Sequence, residues 1–309
     1  MVKKIKINTE LGKITVPDIM VGCMRIPEMS VKDVSAFIQA SLDYGANFFE
    51  HADIYGGGRS EEVFGEAVKS SKIPRDKLLL QSKVGIRPGI AFDFSTEHIL
   101  TQVDGILKRL GTDHIDALLL HRPDTLVEPE QVAAAFDKLQ DSGKVLYFGV
   151  SNQNPMQIEL LKKYVRQPLI FNQLQFSLMH TGMVDQGIYV NMKCPQSVDH
   201  DGSILDYCRL NDITIQAWSP FQYGFFEGVF LGNKKFPELN AAIDIIAEKY
   251  DVPAEAVTVA WILRHPAKMQ VVTGTTKIKR LQACFKASTF ELTHSEWYDL
   301  YQATGNKLP

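Results

Sequence analysis

The period of polar and apolar residues changes early in the chain. Lysine and isoleucine first alternate (Lys4-Ile5-Lys6-Ile7), the chain turns at Leu11-Gly12-Lys13, and alternation resumes through Ile14-Thr15-Val16. This predicts a short β-hairpin that can plug one end of a barrel. From Asp18 onward, short apolar runs are followed by longer amphipathic segments, the signature of βαβ units in a parallel sheet. Strands are predicted at Ile19–Gly22, Asn47–Glu50, Lys77–Lys83, Ile115–Leu120, Val145–Val150, Leu169–Gln173, Ile213–Ala217 and Gln270–Gly274. Between them, helical spacing covers Val31–Tyr44, Glu61–Lys69, Glu97–Arg109, Glu130–Asp141, Met156–Tyr164, Ser203–Leu210 and Ala241–Lys249. This alternation favours a closed (β/α)8 barrel, of the TIM type, over a doubly wound sheet. His180–Asp201 and Phe221–Leu239 exceed the repeat, and both are expected as long βα loops over the active face. Ser295–Thr304 predicts a C-terminal helix outside the barrel, and with no linker or tandem repeat, one domain is expected over 1–309.

Composition narrows the function classes. With 45% hydrophobic and 22% charged residues the chain can bury a sizeable core. A net charge of −3 and a pI near 6.3 give no basic field for nucleic acid or anionic lipid. No apolar stretch approaches the roughly 18–20 residues needed to cross a bilayer, and the opening MVKKIKINTELGK is not followed by an apolar leader. Cys23, Cys194, Cys208 and Cys284 form no CxxC pair, so free thiols, no structural zinc and a reducing cytoplasm are expected. The polar surface permits a monomer or weak homo-oligomer.

Barrel chemistry gathers at the C-terminal ends of strands. Four polar residues stand there: Glu50 closes the second strand, Tyr55 follows in HADIYGGG, Lys83 closes LLLQSK, and His121 closes ALLLHRP. An ammonium after so apolar a run needs a carboxylate partner, and Glu50 is the nearest candidate. A phenol titrates near ~10 and is a poor acid at neutral pH unless a cation stabilises its phenolate; Lys83 beside Tyr55 is expected to lower that value. His121 would then orient or polarise a carbonyl. Asp53 and His51 are expected to bond loop backbone. Taken singly, each has a plain alternative: Tyr55 a loop aromatic, Lys83 a solvated strand end, His121 a cap before Pro123.

Taken together, GANFFEHADIYGGGRSEE, LLLQSK, IDALLLHRP, YFGVSN, FNQLQFS and GTTKIKRL resemble the aldo-keto reductase family over essentially the whole chain. HADIYGG and the loop SPFQYGFFEG look most like a bacterial oxidoreductase branch of that family. The resemblance implies NADPH-dependent reduction of an aldehyde or ketone without metal, with NADH as a weaker alternative cofactor. Carried over by position, Tyr55 is the general acid, Lys83 and His121 its electrostatic helpers, and Glu50 the lysine's partner. Glu50 stands where most of the family has aspartate. Ser151, Asn152 and Gln173 fall where the family holds the nicotinamide carboxamide, and Trp218 where an aromatic ring packs against the nicotinamide. Ser219 and Phe221 would line the pyrophosphate channel, and Thr275, Thr276 and Arg280 would receive the adenosine 2′-phosphate. Many relatives have lysine where Gly274 stands and Asn or Gln where Cys284 stands, so the NADPH preference is expected to be smaller here. Met24 and Arg25 replace an aromatic pocket wall and, with Phe225 and Phe226, suggest a roomy substrate pocket.

Two rival readings remain at this level. Glu50, His51, Asp53 and His121 are conceivable metal ligands of a barrel hydrolase, although Lys83 would then sit beside the cation. A cofactor-binding regulatory or sensor subunit would keep the pocket without turnover.

Overall fold

The computed structural model describes residues 1–9 and 12–309. Leu11, in the expected turn, lies outside them; Gly12 and Lys13 are already in the second strand of the hairpin, which pairs residues 4–9 with 12–17. Eight parallel strands close a barrel in chain order. They are β1 (Ile19–Gly22), β2 (Phe48–Glu50), β3 (Leu79–Val84), β4 (Ile115–Leu120), β5 (Val145–Ser151), β6 (Leu169–Gln175), β7 (Thr214–Trp218) and β8 (Met269–Thr273). β8 pairs back onto β1.

Side chains alternate inward along each strand, and this alternation stacks the interior. On β3, Leu79 packs against an apolar cluster that contains Ile7, Ile14 and Val16 of the hairpin together with Met20, Phe48, Leu119 and Ile170. The hairpin therefore plugs the end of the barrel away from the strand C-termini. Two residues further on, Gln81 exchanges amide hydrogen bonds of 2.8 Å with Gln216 of β7, which also bonds Gln270 and Gln173. Amides can be buried in this way because each finds a partner. Two residues beyond Gln81 stands Lys83, at the rim.

Helices wrap the barrel, and some of their starts are capped by side chains. Ser30 and Ser95 accept backbone N–H groups at the starts of α1 (Val31–Asp43) and α3 (Thr96–Leu110). Between them, α2 (Arg59–Ser71) is tied to the barrel wall by Glu61, which accepts from Ser82 at 2.6 Å and from Arg109 at 2.8 Å. α4 (Pro129–Asp141) and α5 (Pro155–Lys162) follow β4 and β5. The two long loops contain α6 (Gly182–Ile188) and a two-residue β-ladder, Gln222–Tyr223 with Gly228–Val229. α7 (Ile204–Leu210) precedes β7, and α8 (Pro237–Tyr250) precedes α9 (Ala254–Leu263), which helical spacing does not reveal. Residues 256–262 of α9 are all buried, so the helix has no polar face from which a period could be read. After β8 come α10 (Ile278–Phe285) and α11 (His294–Ala303). Trp297 of α11 stacks on Trp261 of α9 at 4.8 Å, each indole N–H donating to the other's carbonyl at 3.0 Å.

All four cysteines are unpaired. Among the described residues no helix is long and apolar enough to cross a membrane.

Candidate active site

Glu50 and Lys83 end neighbouring strands and project to the same side of the rim. Tyr55 reaches them from the loop after β2, whose reversal passes through Gly56 and Gly57 at φ of 59° and 63°. A side chain at Gly56 would also run into Pro27, 2.6 Å from the position of its Cβ. The Lys83 ammonium, fully buried, has three protons and three acceptors: the Glu50 carboxylate, the His51 carbonyl at 2.9 Å and the Tyr55 hydroxyl at 3.0 Å. Tyr55 in turn donates to Glu50 Oε1 at 3.0 Å. The three side chains thus form a closed triangle.

That triangle reverses one expectation. Burial, and then the Glu50 carboxylate, push the Tyr55 phenol well above its ordinary value. The Glu50 carboxylate lies against the phenol as well as the ammonium, so the resting hydroxyl is a firmly protonated donor. His121 stands edge-on to the Tyr55 ring with centroids 6.1 Å apart. Burial and then the Lys83 and Arg122 cations drive its pKa well below the usual value, so the imidazole is neutral. Its Nδ1 is buried without a partner.

His51 does not bond loop backbone: its ring packs edge-on against Phe64 at 4.6 Å, both nitrogens are without partners, and burial lowers its pKa to about 3. Asp53 does meet backbone, at Ile54, but its Oδ1 has no partner. Burial and then the Glu61 carboxylate push Asp53 up to about 7. Among the described residues no three His, Cys, Asp or Glu side chains are grouped to hold a metal ion.

One cavity of about 930 Å³ opens at this corner. Glu50, Tyr55 and His121 line it, whereas Lys83 lies behind Tyr55. Ser151, Asn152, Gln173 and Trp218 form a connected wall: Ser151 donates to the Gln173 carbonyl at 3.1 Å, Asn152 Nδ2 to Ser151 Oγ at 2.7 Å, and Trp218 Nε1 to Asn152 Oδ1 at 3.2 Å. Ser219, Phe221, Phe226, Met24, Arg25, Thr275, Thr276 and Arg280 line the same cavity. Phe225 does not; it is 71% exposed and packs on Phe226. Sequence reasoning missed Arg122, Asp244 and Glu255, which also face the cavity. Arg122 lies over the Trp218 ring at 5.7 Å, and its place directly after His121 was the available signal. No such signal marks Asp244 or Glu255, which helices α8 and α9 bring in.

The model of the aldo/keto reductase family matches residues 18–304. The chain is 33% identical over 302 residues to a 6-dehydroglucose reductase of Agrobacterium fabrum (strain C58), covering 94% of each protein. It is also 33% identical over 283 residues to the oxidoreductase YdhF of Escherichia coli, covering 89% of this chain and 88% of that one. Among solved structures, the thermostable aldo-keto reductase Tm1743 superposes with a TM-score of 0.78 at 21% identity, over 97% of this chain and 99% of the other, a likeness of fold. With the family model spanning all but the ends of the sequence, this chain belongs to the aldo/keto reductase family.

Proposed function

We propose that the protein reduces an aldehyde or ketone to an alcohol with NADPH, Tyr55 giving the proton. The observation that carries this reading is the buried Lys83 ammonium, bonded at once to Glu50 and Tyr55 beneath a cavity that His121 also lines. The residues present suit a nicotinamide dinucleotide. The wall of Ser151, Asn152 and Gln173 offers donors and acceptors to a carboxamide, Trp218 offers a ring face, and Arg280, without an acidic partner among the described residues, suits a phosphate. When bound, the cofactor supplies the hydride.

The chain's own groups do the rest. The Tyr55 hydroxyl turns from Glu50 to the carbonyl oxygen and protonates it; the phenolate left behind is compensated by Lys83, 3.0 Å away. Glu50 pairs with Lys83 and holds it beside Tyr55, and neutral His121 orients the carbonyl. A relative named a 6-dehydroglucose reductase makes oxidised sugars the first substrates to try. Tyr55→Phe, which removes the proton but keeps the ring, should lower kcat by about 10²–10⁴-fold while leaving NADP⁺ affinity unchanged by calorimetry. If the Tyr55→Phe variant reduced aldehydes at the wild-type rate, Tyr55 would lose this role. A wild-type protein that binds NADPH but turns over no carbonyl would favour the sensor subunit.

A further inference from the structure

Arg109 does not line the cavity, yet it fills the side-chain space of three glycines around the Tyr55 loop. It stands in the last turn of α3, in the outer layer of the barrel, and is half-buried. A Cβ on Gly58 would lie 2.9 Å from Arg109 Cδ and 3.0 Å from its Nε, one on Gly105 2.9 Å from its Nη1, and one on Gly65 2.6 Å from its carbonyl oxygen. Gly58 ends the reversal that carries Tyr55, at a φ of 94°, and immediately precedes α2. Just beyond that corner, in the first turn of α2, the fully buried Glu61 accepts from Arg109 Nε at 2.8 Å with one carboxylate oxygen. Its other oxygen accepts from Ser82 at 2.6 Å, next to Lys83 on β3. Arg109 thus holds both sides of the corner at which the Tyr55 loop becomes α2.

We propose that Arg109 is a positioning residue for carbonyl reduction, a prop that sets where the Tyr55 loop, and with it the phenol, stands over Lys83 and Glu50. This rests on the reading of Tyr55 as proton donor given above. The hydroxyl serves only while it stays 3.0 Å from Lys83 and within reach of the carbonyl, and a displacement of about 1 Å can cost about 10²-fold in rate. Gly56, Gly57 and Gly58 have no side chains to lock the loop, so its place is set by what it rests on, Pro27 at Gly56 and Arg109 at Gly58. An ion pair with Glu61 alone would leave Gly105 without a reason. That residue sits inside α3, where alanine is the better helix former, and its bare position is explained by the guanidinium packed against it.

The test measures, on the full chain, kcat with 4-nitrobenzaldehyde at saturating NADPH, NADP⁺ affinity by calorimetry, and thermal stability. Gly105→Ala should leave the melting temperature unchanged or raise it, yet lower kcat about threefold because its methyl pushes Nη1 aside, with the NADP⁺ Kd within about twofold of wild type. Arg109→Ala should lower kcat by about tenfold or more with the same unchanged Kd. In that background Gly105→Ala should cost no further rate, since the atom it displaces is gone. Arg109→Ala leaves the Glu61 carboxylate buried and unpaired, so the same comparison is made with Glu61→Gln added to both members, which keeps the cycle measurable if the single variant does not fold. Stability lost with kcat intact in Arg109→Ala would mark a merely structural ion pair and overturn the inference, as would equal rate losses from Gly105→Ala in the two backgrounds. Tyr55→Phe turning over at the wild-type rate would remove the reading beneath it, whereas an inactive Tyr55→Phe beside wild-type kcat in Arg109→Ala and Gly105→Ala sinks this inference alone.

Discussion

The two sides of the cavity hold charge in opposite ways. At the Tyr55 corner the Lys83 ammonium is fully buried, and all three of its protons rest on acceptors that the chain itself supplies. Beside Gly274, Arg25, Lys277 and Arg280 are exposed, and Arg25 has a single carbonyl to hold it. A charge buried without a partner costs several kcal/mol, so the first arrangement has to be complete before any ligand arrives. The second lies open to solvent, so its donors are accessible to a ligand. Damage to the first side should therefore reach stability, titration and rate together, and damage to the second should reach affinity alone.

The strongest way to break this contrast is Glu50→Gln. It leaves a buried ammonium facing an amide, at a cost on the order of 3–5 kcal/mol in stability, and removes the carboxylate that holds Lys83 and Tyr55 together. We expect kcat to fall by about 10²-fold or more. The carboxylate is also a cause, after burial, of the high Tyr55 value. Removing it should move the alkaline limb of the pH–rate profile to lower pH, because the carboxylate no longer opposes ionisation of the phenol. Glu50→Asp, which keeps the charge, should be milder on all three measures. Unchanged kcat and pH profile in Glu50→Gln would make Glu50 a bystander.

A smaller effect, confined to the same buried corner, comes from Asp53. Its folded-state pKa is raised from 3.8 to about 7, by burial first and the Glu61 carboxylate second, with Arg109 and Lys83 opposing. A raised carboxyl pKa means that the folded chain binds the proton more tightly than the unfolded one. Its contribution is complete below about pH 4 and is lost as pH rises to about 7, on the order of 2–4 kcal/mol in all. Asp53→Asn should thus match the wild type in thermal stability near pH 4 and exceed it near pH 8. Asp18, raised to about 6 by burial, leaves a residual slope in both proteins. Parallel stability curves for the two proteins across this range would refute the assignment.

These two sites also mark how far the sequence can be read. The barrel is legible because each strand is a short apolar run before a helical period, and β1 and β4 have the bounds that the runs predict. Lys83 and Glu50 are legible as strand-end charges. The direction of the Tyr55 shift is not, since it depends on whether the carboxylate touches the phenol as well as the lysine, which only the packed site decides. Nor is the glutamine layer, because Gln81, Gln216 and Gln270 are scattered along the chain and meet only when the sheet closes. The link from Arg25 to Gly274 spans 249 residues, and no local pattern announces it.

The smallest expected effect lies on the exposed side and concerns Arg280. The residue stands in the first turn of α10, is exposed, and lines the cavity beside Thr275 and Thr276 without an acidic partner among the described residues. A guanidinium in that setting adds a charge-assisted bond to a phosphate group, and because water and salt screen it, the gain is modest. Arg280→Ala should raise the KM for NADPH about tenfold and leave that for NADH nearly unchanged, with kcat for both preserved because the Tyr55 corner is untouched. Raising the ionic strength should shrink the difference between wild type and variant, as it would for an exposed charge and not for the buried Lys83 pair. Equal rises in KM for both cofactors would show that Arg280 does not read the 2′-phosphate, and a parallel fall in kcat would show that the two sides of the cavity are not independent.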